Sequence, residues 1–375
     1  MSTREEVLQS APAVQDTRID RWLLLATICI LIAGGMTVYS ASSPYGMRAG
    51  APSSYFLSHL KKIVMGVFLF LVAVKLDYHR WQRLGPLLLA VFGGMMLFVN
   101  TAMNEAHRWI EIGSFRFQPS EAAKYAVVIF LAGQLSRITD FRKDWKRLLL
   151  ALAPIGVVLV LLEQQPNYSM LMVVAAVTGL MLFLAGLPLT WFAAAGVTGV
   201  LGVIGLLSQG DFHSDRIDRW LESFGSMHSG TDQVMQSFIG FGRGGLTGVG
   251  AGNSMQKYFY LPEPFNDFIF SIWGEEFGLI GCVLLILAYA LIFWRGFHIV
   301  RRAQDDFGRM LAAGITGILG LYTIINMMVS TGLLPVTGLP LPLFSYGGTA
   351  MITLLGALGI LMNISYQSRR LDLRR

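Results

Sequence analysis

Apolar residues in this chain come in long unbroken runs, with neither the every-second-residue alternation of a half-buried strand nor a polar stripe at helical spacing. Charged and turn residues divide the runs into ten segments, near residues 22–41, 60–76, 84–100, 120–136, 148–162, 168–186, 188–208, 267–294, 309–330 and 345–366. Most approach the ~20 residues that a helix needs to cross a bilayer, and none has the alternating signature of a membrane barrel. The pattern predicts an all-α, polytopic integral membrane protein with ten transmembrane helices. The fourth segment opens with Glu121 and Lys124, and the fifth is short and contains Pro154, so a broken or tilted helix pair is expected there.

Composition narrows the class further. Of 375 residues 54% are hydrophobic and 14% charged, whereas soluble domains carry about 25% charged residues. A soluble globular protein is excluded, and high hydrophobicity with a net charge of +6 excludes disorder. The only cysteines, Cys29 and Cys282, lie in apolar runs and are not expected to pair. Residues 1–21 are polar and lack the apolar core of a signal peptide, so the first span reads as an uncleaved anchor. With the N-terminus in the cytoplasm, 19 of the 29 Lys and Arg residues fall in inner segments and nine in outer ones, with Lys124 inside a span. That is the positive-inside pattern with both termini cytoplasmic, and it explains the basic pI of about 9.4 without nucleic acid. The expected organisation is a tail over 1–21, a membrane domain over 22–366 with a large outer loop at 209–266, and a tail over 367–375.

The inner connections are short charged turns, while Pro, Gly, amide, aromatic and acidic residues cluster in the outer ones. Function is therefore expected to face outward. No nucleotide sugar is available there, so a group transfer needs a donor that carries its own leaving group, such as a lipid-linked pyrophosphate. Gly240, Gly242 and Gly245 in GFGRGG spell a dinucleotide-like fingerprint, but no strand precedes them and no parallel βαβ unit surrounds them. They read instead as a close-packed turn or a backbone cradle for an anion, with Arg243 and Lys257 adding positive charge.

Asp267 opens the eighth segment at the outer interface. It is read either as a helix N-cap or as a carboxylate able to take a proton from a hydroxyl nucleophile. If the helix begins there, Asp267, Ser271 and Glu275 share one face, and Glu275 lies about 12 Å along the axis, too far for a two-carboxylate glycosidase. Glu275 and Glu276 are expected to bond to neighbouring helices. Glu121 and Lys124, three apart on the fourth span, form a structural ion pair or a polar cavity wall. The six histidines never pair at metal-ligand spacing, so no zinc site is suggested.

Three ordered blocks carry a family resemblance: HRWIEIGSFRFQPSEAAK, YLPEPFNDFIF and GLPLPLFSYGG. With them, residues 22 to 366 resemble the SEDS family (shape, elongation, division and sporulation proteins), and GNSMQKYFYLPEP is more similar to its division type than to its elongation type. The resemblance implies a glycosyltransferase that polymerises lipid II with inversion at the outer face of the bacterial cytoplasmic membrane. It implies that Asp267 is the general base, or holds a divalent cation (Mg or Mn) at the pyrophosphate. Substrate contacts are implied for Arg108, Glu121, Lys124, Gln236, Ser237, Arg243, Lys257, Glu263 and Ser345. The implied partners are a class B penicillin-binding protein, other division proteins and membrane lipids. Two departures stand out: Gln165-Pro166-Asn167-Tyr168-Ser169-Met170 where the family has Q-P-D-x-G-T, and Phe265-Asn266 where His-Thr is frequent. The rival readings are a lipid II flippase and a scaffold; outward clustering of the polar motifs and the absence of an internal repeat favour the enzyme.

Overall fold

The computed structural model describes residues 19–102, 108–113, 115–138, 141, 143–192 and 233–372. Its helices are α1 (Arg21–Arg48), α2 (Ser54–Lys75), α3 (His79–Ala102), α4 (Pro119–Leu135), α5 (Trp145–Gln164), α6 (Tyr168–Leu184), α7 (Gln233–Gly244), α8 (Ile269–Arg302), α9 (Asp306–Ser330) and α10 (Thr349–Asp372). Among the described residues seven helices are long and apolar enough to cross a membrane, and Tyr168–Leu184 is a shorter apolar helix. Nine of the ten expected spans thus coincide with helices. The expected span at 188–208 lies outside the described residues beyond Trp191 and Phe192, as does 209–232 of the outer loop.

Helix α4 is the centre of the bundle. It starts with Pro119, whose missing N–H is no loss in a first turn, and nearly every residue to Leu135 is buried, including Glu121 and Lys124. It is an intact helix, as is α5 through Pro154, so of the two alternatives, broken or tilted, the break does not occur. Helices α3, α5, α6, α9 and α10 pack around α4, with a continuous apolar core from Leu23 to Ile364. A smaller core of Ala41, Leu261, Phe265, Phe268, Ile272 and Val329 sits above it.

At one end of the bundle the helix connections are tied by polar bonds. Asp20 caps α1 and pairs with Arg295 of α8 at 2.5 Å. Asp305 caps α9 and accepts from the Tyr78 hydroxyl at 2.7 Å, and Asn363 of α10 accepts from the Tyr78 N–H at 3.0 Å. Burial and the bond to Asp305 raise the Tyr78 hydroxyl above its ordinary pKa. The polar motifs singled out in the sequence collect at the other end.

Two features depart from the all-α expectation. Ile110–Ile112 and Phe115–Phe117 form a two-stranded antiparallel hairpin, Ile110 opposite Phe117, turned by Gly113 at φ 62°. The alternation I-E-I and F-R-F about a glycine carried that signal. In addition, α8 starts at Ile269, after Asp267, and is broken at Gly278 (φ 65°, ψ −166°), a region open essentially to glycine alone. Asp267 is therefore not the cap of α8, and it does not share a helical face with Ser271 and Glu275.

The break in α8 is filled by the glycine-rich segment after α7. Val249 and Gly250 N–H groups donate to the Glu275 and Glu276 carbonyls at 3.0 Å each, while Leu279 and Ile280 N–H groups donate to the Gly245 and Leu246 carbonyls at 2.9 and 3.1 Å. All four broken helix groups are thus satisfied by protein, the condition for irregular backbone at membrane depth. A Cβ on Gly248 would lie 2.1 Å from the Glu276 carbonyl oxygen, so only glycine allows this approach.

Candidate active site

The Pro- and Gly-rich stretch between α9 and α10 cannot continue a helix and folds back over the bundle end, where it meets the segment 263–267. Asn326, fully buried in α9, joins the two: its Nδ2 donates to the Asp267 and Leu339 carbonyls, both at 2.8 Å. Ser345 Oγ donates to the Asn266 carbonyl at 2.7 Å and accepts from Leu341 N–H at 2.8 Å, and Tyr346 N–H donates to the Phe265 carbonyl at 2.8 Å. Asp267 is thus held by its own backbone between two loops.

These loops, the residues Arg108, Trp109 and Gln118 that flank the hairpin, and the starts of α4, α6 and α10 line a cavity of about 280 Å³. Asp267, Glu263, Glu121 and Arg108 line it, together with Asn167 and Ser169 at the positions that depart from the family pattern. Glu263 sits at φ 45° and accepts from Asn266 Nδ2 at 2.6 Å. Arg108 donates through Nε to the Gln165 carbonyl at 2.8 Å and through Nη2 to the Pro166 carbonyl, so its charge sits on the turn that carries Asn167. Ser169 Oγ donates to the Thr337 carbonyl at 2.5 Å. Glu121 reaches the cavity floor, where it pairs with Lys124 at 2.5 Å. Lys124 also donates to the Tyr322 hydroxyl at 2.8 Å and lines a separate void of about 20 Å³, the volume of one water, shared with Tyr125 and Ser345. The ion pair and the polar wall are therefore one arrangement.

Six of the residues assigned to substrate, Lys124 among them, lie outside this cavity's lining. Gln236 and Ser237 are buried on α7, where Ser237 donates to the Ser330 carbonyl at 2.5 Å. Arg243 donates to Glu275 at 3.0 Å. Lys257 is buried against Ser40 at 3.0 Å, Glu276 at 3.8 Å and the Gly252 carbonyl. Burial lowers its pKa, against the pull of Glu276 and Glu275. Ser345 is the loop fastener described above. Glu275, fully buried, accepts from Arg243, from Ser254 Oγ at 2.5 Å and from Met255 and Gln256 N–H at 3.0 and 3.3 Å. The charges around the glycines thus fasten the loop after α7 to α1, α7 and α8, the close-packed turn rather than the anion cradle.

Trp109, Thr337, Tyr346 and Thr349 also line the cavity and were not singled out from the sequence, and Asn266, noted there only as a departure from the family pattern, lines it too. Asn326 was missed as well, although a lone amide in the apolar run of α9 was a legible signal. Among the described residues no three His, Cys, Asp or Glu side chains converge on a common point. Asp267 and Glu263, two acids of the cavity lining, would therefore hold a divalent cation only in company with substrate phosphates, a common arrangement for magnesium.

Membrane-length helices around a central buried one, with an acid-lined polar cavity at one end, define a polytopic helical membrane protein. Residues 21–370 match the family model FtsW/RodA/SpoVE, described as cell cycle protein. Stage V sporulation protein E of Bacillus subtilis is 34% identical, covering 94% of this chain and 98% of its own. The probable peptidoglycan glycosyltransferase FtsW of Geobacter sulfurreducens is 36% identical, covering 93% and 95%. Among solved structures, a chain from a peptidoglycan synthase complex that coordinates polymerization and crosslinking matches with a TM-score of 0.73 at 24% identity, covering 94% and 98%. The rod shape determining protein RodA of Thermus thermophilus matches at 0.67 and 24%, covering 94% and 97%. The chain belongs to the FtsW/RodA/SpoVE family, the SEDS proteins that its three sequence blocks resemble.

Proposed function

We infer that the protein is a peptidoglycan glycosyltransferase that polymerises lipid II at the outer face of the cytoplasmic membrane. The observation that carries this reading is Asp267, a carboxylate fixed through its backbone by Asn326 at the wall of a polar cavity, in a family whose relatives are named peptidoglycan glycosyltransferases. The acceptor hydroxyl oxygen bonds to the donor's anomeric carbon from the face opposite the diphosphate, and the hydroxyl proton passes to Asp267. The bond from that carbon to the diphosphate oxygen breaks, and the diphosphate leaves with the electron pair. Attack from the opposite face inverts the anomeric carbon. A general base at hydrogen-bonding distance contributes about 10² to 10⁴ in rate. A divalent cation held by Asp267, Glu263 and substrate phosphates would stabilise the leaving charge.

The sites of Glu121 with Lys124, Arg108 and Glu263 surround the substrate's polar head. Ten spans with both termini in the cytoplasm fit the charge distribution and place this cavity outside. The fastened end of the bundle, with Asp20, Tyr78, Asp305 and Asn363, then faces the cytoplasm. A class B penicillin-binding protein is the partner, by analogy with the related synthase complex that couples polymerization to crosslinking. Septal synthesis is favoured over elongation by the relatives named FtsW and by the GNSMQKYFYLPEP stretch. Detergent-purified protein incubated with labelled lipid II should yield a ladder of glycan polymers; monomer recovered intact would refute the reading.

A further inference from the structure

Of the buried side-chain polar atoms without a hydrogen-bond partner among the described residues, two belong to the lining of the Asp267 cavity, Asn266 Oδ1 and Thr337 Oγ1. An unmade hydrogen bond at a buried polar atom costs folding free energy, so such an atom calls for a water or a ligand group. One of the two is an amide carbonyl, which only accepts, and the other a hydroxyl, which can donate. A sugar hydroxyl is donor and acceptor at once and complements both. On the polymerase reading, on which this inference rests, the hydroxyl that attacks at Asp267 belongs to a sugar ring and has a further ring hydroxyl next to it.

The fold fixes how each group is presented. Asn266 N–H donates to the Glu263 carbonyl at 3.0 Å, and the Asn266 carbonyl accepts from Ser345 Oγ at 2.7 Å. Its Nδ2 donates to Glu263 Oε2 at 2.6 Å. A carboxylate accepts and an amide nitrogen donates, so Glu263 holds the NH2 side of the amide and leaves Oδ1 turned away from it. Thr337 is held from α6, its carbonyl accepting from Ser169 Oγ at 2.5 Å. Gly338, the next residue, has φ 72°, and a Cβ on it would stand 3.8 Å from Asp267 Oδ2. The turn at 337–338 therefore runs beside the Asp267 carboxylate. Asn266 and Ser169 are two of the positions at which the chain departs from the family pattern, so these two fastenings are not a feature of that common pattern.

We propose that Asn266 and Thr337 form a specificity subsite beside Asp267 that reads the ring hydroxyl next to the attacking one on the acceptor sugar. That hydroxyl donates to Asn266 Oδ1 and accepts from the Thr337 hydroxyl, which aligns its neighbour with the Asp267 carboxylate. A sugar that lacks it leaves both protein atoms unpaired, and a site built on such bonds rejects the analogue more sharply than an apolar pocket does.

Binding of lipid II to the full chain in phosphatidylcholine nanodiscs is compared with binding of an analogue in which this neighbouring hydroxyl is replaced by hydrogen, once with magnesium and once with EDTA. The parent should prefer lipid II about tenfold in both, the scale of one or two hydrogen bonds, and Asn266→Ala and the near-isosteric Thr337→Val should each cut the preference to about threefold or less. Should Asn266→Ala fail to fold, Asn266→Leu is measured in the same way. The parental preference should reappear in kcat/KM for polymerisation. An unchanged preference in either variant would overturn the proposal. So would a parent that binds the two ligands equally, or that prefers lipid II only with magnesium, since the two oxygens would then serve a cation. A parent that shows the preference in binding but makes no polymer would remove the polymerase reading and leave the subsite standing.

Discussion

Two carboxylates eight residues apart do different work, and their partners say which is which. Asp267 lines the cavity, while Glu275 is sealed from solvent and holds four donors from α7 and the loop that follows it. Hydrogen bonds to a charged group contribute about 1.5 to 3 kcal/mol each. Glu275→Gln should therefore lower thermal stability by about 2 kcal/mol and retain measurable polymerisation, read by thermal unfolding and product gels. Full parental stability would contradict the bonding described. Lys257 carries a pH signature of the same network. Burial depresses its pKa in the folded protein, so between that value and the unfolded lysine's ordinary 10.5 the unfolded chain holds more protons and stability rises with pH. Stability of the parent minus that of Lys257→Met, followed through the alkaline range, should climb across this window; a flat difference would show that the ammonium is not buried. Neither role was visible in the sequence, where Arg243 and Lys257 look like anion ligands because a basic, glycine-rich loop is also what an anion site looks like. What decides between them is which acids the fold brings close, and Glu275 and Glu276 lie 32 and 19 residues away from their respective partners Arg243 and Lys257 in chain order.

At the scale of elements, apolar run length made the helices legible, even where Glu121, Lys124 and Pro154 argued for a break. The ion pair closes within α4, and α5 absorbs its proline, so both helices persist. The break falls in α8 instead, in a run with no proline, because the satisfying partners come from a distant loop. Gly278 and Gly248 are the positions that permit it, each with positive φ and with backbone inside 2.5 Å of a would-be Cβ. Gly278→Ala combines backbone strain with overpacking and should cost about 3 kcal/mol. It should also reduce polymerisation, since the loop after α7 that leads into Asp267 is bonded into the break. Unchanged thermal unfolding of Gly278→Ala would show that the two segments do not interlock.

For the whole molecule, the three sequence blocks each contribute to the lining of one cavity: Arg108, Trp109, Gln118 and Glu121 from the first, residues of the segment 263–267 from the second, and the loop before α10 from the third, with the turn at 166–170 completing it. Their convergence follows from the topology and from Asn326, and no spacing rule along the chain reports it. Orientation in the membrane rests on the charge count. In a cysteine-free background, a cysteine at exposed Asn253 should react with an impermeant thiol reagent added outside whole cells, and one at Asp306 should not; the reverse would turn the cavity inward. The central claim, that Asp267 takes part in bond formation, is tested most directly by Asp267→Asn. Because Asp267 does not cap α8, the change removes no helix cap, and the variant should insert and unfold like the parent. Polymer formation from labelled lipid II by purified parent and Asp267→Asn is the deciding measurement. A fall of at least 10² in initial rate with unchanged thermal unfolding is the expected result. Polymerisation by the folded variant at the parental rate would contradict it.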